Sequence, residues 1–73
     1  MATLSDMIRQ ARNAKGLSQY QLADTLGVRN IAVSAWETGK NNPSPENMVE
    51  LIRVLDLDEA AAASAYLEAW RRR

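Results

Sequence analysis

Seventy-three residues suffice for one small domain, and with no cysteine and no histidine among them the chain has neither a disulfide framework nor an ordinary zinc site. Apolar side chains make up 47%, ample for a core, but a chain of this size buries only about 60% of its unfolded surface and has to be helical and well packed, or dimeric. Nine basic residues balance nine acidic ones, which excludes a strongly basic chain, and no apolar run reaches the roughly 20 residues of a membrane helix.

Thr3-Leu4-Ser5-Asp6 opens a first helix, with Thr3 as the cap and Asp6 near the positive helix end. Leu4, Ile8 and Ala11 form its inward stripe, Met7 and Ala14 lie beside the stripe, and Arg9, Arg12 and Lys15 occupy other faces. Gly16 ends it. Ser18 caps a second helix, and Gln21, three residues on, completes a capping box. Leu22, Ala23 and Leu26 are its apolar face, Gly27 supplies the left-handed stop, and Val28 drops into the core. A third helix starts at about Asn30, buries Val33 and Trp36, and stops at Gly39. After the loop Lys40-Asn41-Asn42-Pro43, Ser44 caps a fourth helix with Pro45 in its first position. Met48, Leu51, Ile52 and Leu55 face inward, and this helix ends near Asp56. Asp58 caps a fifth helix that runs through the alanines 60–63 to about Arg71. Ala62, Tyr66 and Trp70 share one of its faces, with Ala63 and Leu67 beside them, and Arg71 to Arg73 suit its negative end. The expected fold is all-α: a compact five-helix domain over residues 1–73.

The second and third helices, joined across a short glycine-containing turn, form a helix-turn-helix over about residues 18–38, and the second helix of such a unit can lie in the DNA major groove. The ordered residues are Gly16-Leu17-Ser18-Gln19, Leu22-Ala23, Leu26-Gly27-Val28, Val33-Ser34, Trp36-Glu37 and Gly39-Lys40. They are followed by Asn42-Pro43-Ser44 and the amphipathic Met48, Leu51, Ile52 and Leu55. This set resembles the helix-turn-helix of the Cro and phage-repressor type, also called Xre type, over roughly residues 4 to 57. Its specificity lies in fixing a cap, a turn, a core and a helix stop together.

The resemblance implies base contacts at Arg29, Asn30, Ile31 and Ala35, with Ser34 on the same outer side of the helix. Asn30 can pair with the N6/N7 edge of adenine, and Arg29 can take guanine bidentately or sit on a phosphate. Ile31 has no hydrogen-bonding group, so its natural target is a thymine methyl. Ala35 is too short to read a base edge but lets the helix approach closely. Arg29 departs from the family pattern, where a small hydroxyl cap is common. The resemblance also implies a contact of Gln19 with the DNA backbone, where it would support Asn30; Thr38, Lys40 and Asn41 follow the third helix and can clamp the far side of the groove. The Tyr20 hydroxyl either reaches a phosphate or packs over the second helix. The resemblance further implies that Arg12 on the first helix meets Glu37 at the end of the third in a structural ion pair. Tyr66, Leu67 and Trp70 form an aromatic stripe that either folds back on the chain's own helices or makes a twofold interface; the dimer interface is the preferred reading.

The charge distribution allows this function without strongly favouring it. Residues 1–45 hold five basic against three acidic residues, and residues 46–73 hold four against six. The DNA-facing half is mildly basic, so modest non-specific affinity is expected. Without His or Cys the common nucleophile–base pairs are absent, and no catalytic role is expected. Arg9 and Arg12 interrupt the first apolar stretch, so no signal peptide is expected and a soluble, cytoplasmic protein is. The reading is a sequence-specific binder of double-stranded DNA: a homodimeric transcriptional regulator, most often a repressor, with no metal, cofactor, small-molecule ligand or membrane. Two rivals remain. One is an antitoxin or restriction-controller type of regulator with a protein partner. The other is a protein-interaction adaptor that has lost DNA binding, which the zero net charge and the apolar Ile31, Ala32 and Ala35 would suit.

Overall fold

Helix starts in this chain are set by short polar side chains. The computed structural model describes residues 3–72, in which five helices follow one another: α1 Leu4–Ala14, α2 Gln19–Leu26, α3 Asn30–Thr38, α4 Pro45–Leu55 and α5 Glu59–Arg71. Thr3 Oγ1 accepts the Asp6 N–H at 3.2 Å, Ser44 Oγ the Asn47 N–H at 3.2 Å, and Asp58 Oδ2 the Ala61 N–H at 2.9 Å. At α2 the capping box is complete: Ser18 Oγ accepts from Gln21 N–H at 3.0 Å while Gln21 Oε1 accepts from Ser18 N–H at 2.8 Å. Each such cap satisfies a backbone donor that the helix leaves unpaired, worth about 1 kcal/mol. Only α3 lacks one, because Arg29 at its cap position makes no side-chain capping bond. Of the terminal arginines, Arg73 lies outside the described residues.

The helix stops are equally local. Gly27 takes the left-handed conformation at the end of α2, and Asp56 takes it at the end of α4 with φ +56°, the one non-glycine among the described residues to do so. A short polar side chain tolerates that region better than most.

The core draws on every helix. Leu4 and Ile8, Leu22 and Ala23, Val33 and Trp36, Met48, Leu51 and Leu55, and Ala62 are all buried. Fully burying a residue such as Ile8, Leu22 or Leu51 stabilises by about 1.5–3 kcal/mol. Val28 packs against this cluster without being wholly enclosed. Ala14 is exposed; at 100° per residue it sits about 80° from Leu4 around the helix, at the edge of the stripe. Pro43, which gave no sign of burial in the sequence, is among the most enclosed side chains. α3 packs most closely on α2 and α1, and α4 and α5 both lean on α1. None of the described helices is long and apolar enough to cross a membrane.

The terminal helix is divided. Ala62 is its one fully buried residue. Tyr66 is half-buried, donates its hydroxyl to the Pro43 carbonyl at 2.7 Å, and meets Trp70 edge-on with ring centroids 6.2 Å apart. Its hydroxyl is thus committed to its own chain, while Leu67 and Trp70 stay 58% and 50% exposed.

Candidate nucleic-acid interface

Three residues, Gly27, Val28 and Arg29, connect α2 to α3. The Val28 N–H returns to the Ala23 carbonyl at 3.0 Å, which folds the turn against α2 while the Val28 side chain packs on the core. The turn thereby presents the start of α3 outward. Val33, Trp36 and Glu37 face in; Arg29, Asn30 and Ile31 face out, and Ser34 and Ala35 lie half-buried between the two sides.

The far end of α3 is held by an unusual buried group. Glu37 is only 4% exposed. Arg12 donates to it in a two-pronged fashion, Nε to Oε2 at 2.6 Å and Nη2 to Oε1 at 3.0 Å, and its Nη1 donates to the Leu17 carbonyl at 2.8 Å. Gln19 Nε2 adds a bond to Glu37 Oε1 at 3.1 Å, and Arg9 Nη1 reaches the Glu37 backbone carbonyl at 3.2 Å. Burial pushes the Glu37 carboxyl up, but the hydrogen bonds from Arg12 and Gln19 and the charges of Arg12 and Arg9 outweigh it and hold the group below the usual carboxylate range. One carboxylate therefore ties α1, the loop after it, the first residue of α2 and the end of α3 into one unit. The geometry is the planar fork that arginine provides and lysine does not.

The candidate contact residues fall into groups. Tyr20, Arg29, Asn30 and Ile31 converge on an open hollow of about 460 Å³ at the junction of α2 and α3, with Tyr20 71% and Ile31 69% exposed. Gln19 is bonded to Glu37 rather than to Asn30, which leaves one of its two amide hydrogens for an outside acceptor. Thr38, Lys40 and Asn41 lie at the other end of α3, about 12 Å along the helix axis. Thr38 Oγ1 turns back to the Ser34 carbonyl at 3.0 Å, and the backbone N–H groups of Lys40 and Asn41 both converge on the Ala35 carbonyl. Leu67 and Trp70 are on α5 and take no part in this surface. Sequence reasoning missed Arg9, whose partner is a backbone atom 28 residues away; nothing in the local pattern signals such a bond. It also missed Asp24, which lines the hollow.

Comparison with known proteins identifies the family to which the helix-turn-helix unit belongs. The family model described as "Helix-turn-helix" matches residues 8–61, from within α1 to the first turn of α5. An HTH-type transcriptional activator, BcrR of Enterococcus faecalis, is 41% identical over 44 residues, covering 60% of this chain and 22% of its own length. The uncharacterized HTH-type transcriptional regulator YqaE of Bacillus subtilis (strain 168) is 30% identical over 53 residues, 73% of this chain and 46% of its own. Repressor protein C2 of Salmonella phage P22 is 33% identical over 52 residues, 71% and 24% respectively. The chain thus spans less than half the length of each of these relatives. No solved structure is significantly similar. The matched span includes the complete α2–turn–α3 unit with its capped start, its glycine turn and its anchored Glu37, and the chain belongs to the Cro and phage-repressor (Xre-type) helix-turn-helix family.

Proposed function

We propose that this chain is a sequence-specific reader of double-stranded DNA that regulates transcription, as a repressor and as a homodimer, by laying the start of α3 in the major groove. The observation that carries the reading is the exposure of Arg29, Asn30 and Ile31 at the outward end of a helix whose other end is anchored through Glu37. Ile31, 69% exposed beside an arginine and an asparagine at the start of α3, lies where the second helix of such a unit meets base edges, and its apolar group suits a methyl there. Asn30 takes adenine, Arg29 takes guanine or a phosphate, and Ile31 takes a pyrimidine methyl group. Ser34 and Ala35 keep the helix close to the groove floor. Gln19 and Tyr20 at the start of α2, with Thr38 at the end of α3 and Lys40 and Asn41 just beyond it, contact the DNA backbone on either side. Residues 1–73 act as one DNA-binding unit, in the cytoplasm, where the DNA of a bacterial or phage regulator is found. Leu67 and Trp70, exposed on α5 beyond the family match, form the twofold contact; two copies then meet half-sites about one helical turn apart.

A second reading, a regulator whose α5 takes a different protein, draws on the same two exposed side chains. Selection of binding sites from random duplex DNA at near-physiological salt separates the two. An enriched inverted repeat with half-sites about 10 base pairs apart supports the homodimer. A single unpaired half-site favours the second reading, and no enrichment by the folded protein refutes DNA reading.

A further inference from the structure

Ile31 is the second residue of α3 and one wall of the hollow at the α2–α3 junction, whose other apolar walls include Tyr20 and Val28 and whose polar lining is Asp24, Arg29 and Asn30. Isoleucine can form no hydrogen bond there. The apolar group that a base edge offers in the major groove is the C5-methyl of thymine. The same methyl group stands at the same ring position on 5-methylcytosine. The two bases differ at the adjacent C4 substituent, which is an oxygen acceptor on thymine and an amino donor on cytosine. Ile31 has no atom that senses this difference. The polar lining suits either substituent, since Arg29 and Asn30 carry donors for an oxygen and the Asp24 carboxylate accepts from an amino group.

We propose that the hollow between Tyr20 and Ile31 is a binding site for a pyrimidine C5-methyl group, which accepts 5-methylcytosine in place of thymine, so that cytosine methylation strengthens binding. The proposal rests on DNA reading by α3 and names what one of its contacts takes. It is tested with synthetic duplexes carrying the site obtained by selection, their affinities measured by fluorescence anisotropy. Each thymine is replaced in turn by uracil, which removes the methyl group and keeps every hydrogen-bonding atom. At one position in each half-site this replacement weakens binding about fourfold, the effect of one buried methyl group. At that same position a 5-methylcytosine duplex binds about fourfold more tightly than its unmethylated cytosine counterpart. Ile31→Ala, a change at an exposed position outside the core, erases both differences. Equal affinity with and without the methyl group overturns the methyl site while leaving DNA reading intact. Differences that persist in Ile31→Ala overturn the assignment to this hollow. Failure to bind any duplex specifically overturns DNA reading and this site with it.

Discussion

Replacing Glu37 by alanine removes the acceptor of three side-chain hydrogen bonds and strands the guanidinium of Arg12, whose side chain is only 12% exposed. Breaking one partner of a buried, hydrogen-bonded ion pair costs on the order of 3–5 kcal/mol, mostly because the remaining charge is left without compensation. For 73 residues the total stability is about 4–11 kcal/mol at typical values per residue. Glu37→Ala is therefore expected to remove about half of the stability at mid-range values, and nearly all of it at the low end of that range. Urea unfolding followed by far-ultraviolet circular dichroism measures it. A loss below about 1 kcal/mol would refute the reasoning, since that is the scale of an exposed pair. The double replacement Arg12→Met with Glu37→Leu separates stranded charge from lost attraction. Swapping both partners for apolar groups of similar size is often close to neutral, so the double variant is expected to recover at least half of the loss. Recovery of none of it would mean that the bonds themselves, to Leu17 and Gln19 included, supply the stability.

The same carboxylate gives a pH dependence. Its pKa is lowered in the folded chain, so its stabilisation is present above the ordinary value of 4.5 and is lost as pH falls through the depressed folded value; urea midpoints from pH 6 down to pH 2.5 should fall in that acid range, with a shallower fall in Glu37→Gln. Gly27→Ala meets no atom within 4 Å but keeps φ +72°, so its cost is backbone strain alone, about 1 kcal/mol once the stiffer unfolded chain is allowed for, readable as a shift in melting temperature. Tyr66→Phe loses the bond to the Pro43 carbonyl and about 1 kcal/mol of stability without changing the oligomeric state. Leu67→Ser with Trp70→Ser should instead yield a folded monomer by analytical ultracentrifugation, and an unchanged dimer would refute the α5 interface. Truncation after Leu57 is the poorer test, because it also removes the buried Ala62 and the Tyr66 bond that hold the core.

What the sequence made legible is what neighbouring residues decide among themselves. Thr3, Ser18, Ser44 and Asp58 cap the helices that follow them because each bond spans three residues. The glycine stop at Gly27 and the core spacing of Leu4 and Ile8, or of Met48, Leu51 and Leu55, are local for the same reason. The Arg12–Glu37 pair, 25 residues apart, was suggested by the resemblance to a family and by no pattern in the chain. Contacts with neither a local pattern nor a family signature stayed hidden. Pro43 is buried although proline is mostly a surface residue, and its carbonyl receives the hydroxyl of Tyr66 from 23 residues away. That bond ties the hydroxyl of Tyr66 to its own chain, whereas its helical spacing with Ala62 and Trp70 left folding back and a twofold interface both open. In the candidate interface, the outward position of Asn30 and Ile31 followed from Val33 and Trp36 pointing in. The inward turn of Gln19 did not, because its partner Glu37 is brought close only by the packing of α2 on α3.

The most direct measurement on the central claim is a side-by-side selection from random duplex DNA with the wild-type chain and with Asn30→Ala, a change at an exposed position. The wild type is expected to enrich an inverted repeat with a fixed adenine in each half-site. The variant is expected to enrich the same repeat with that one position relaxed, at a cost of about 1–3 kcal/mol in binding. Identical enrichment by both proteins, or none by either while both remain folded, would contradict the reading of DNA by the start of α3.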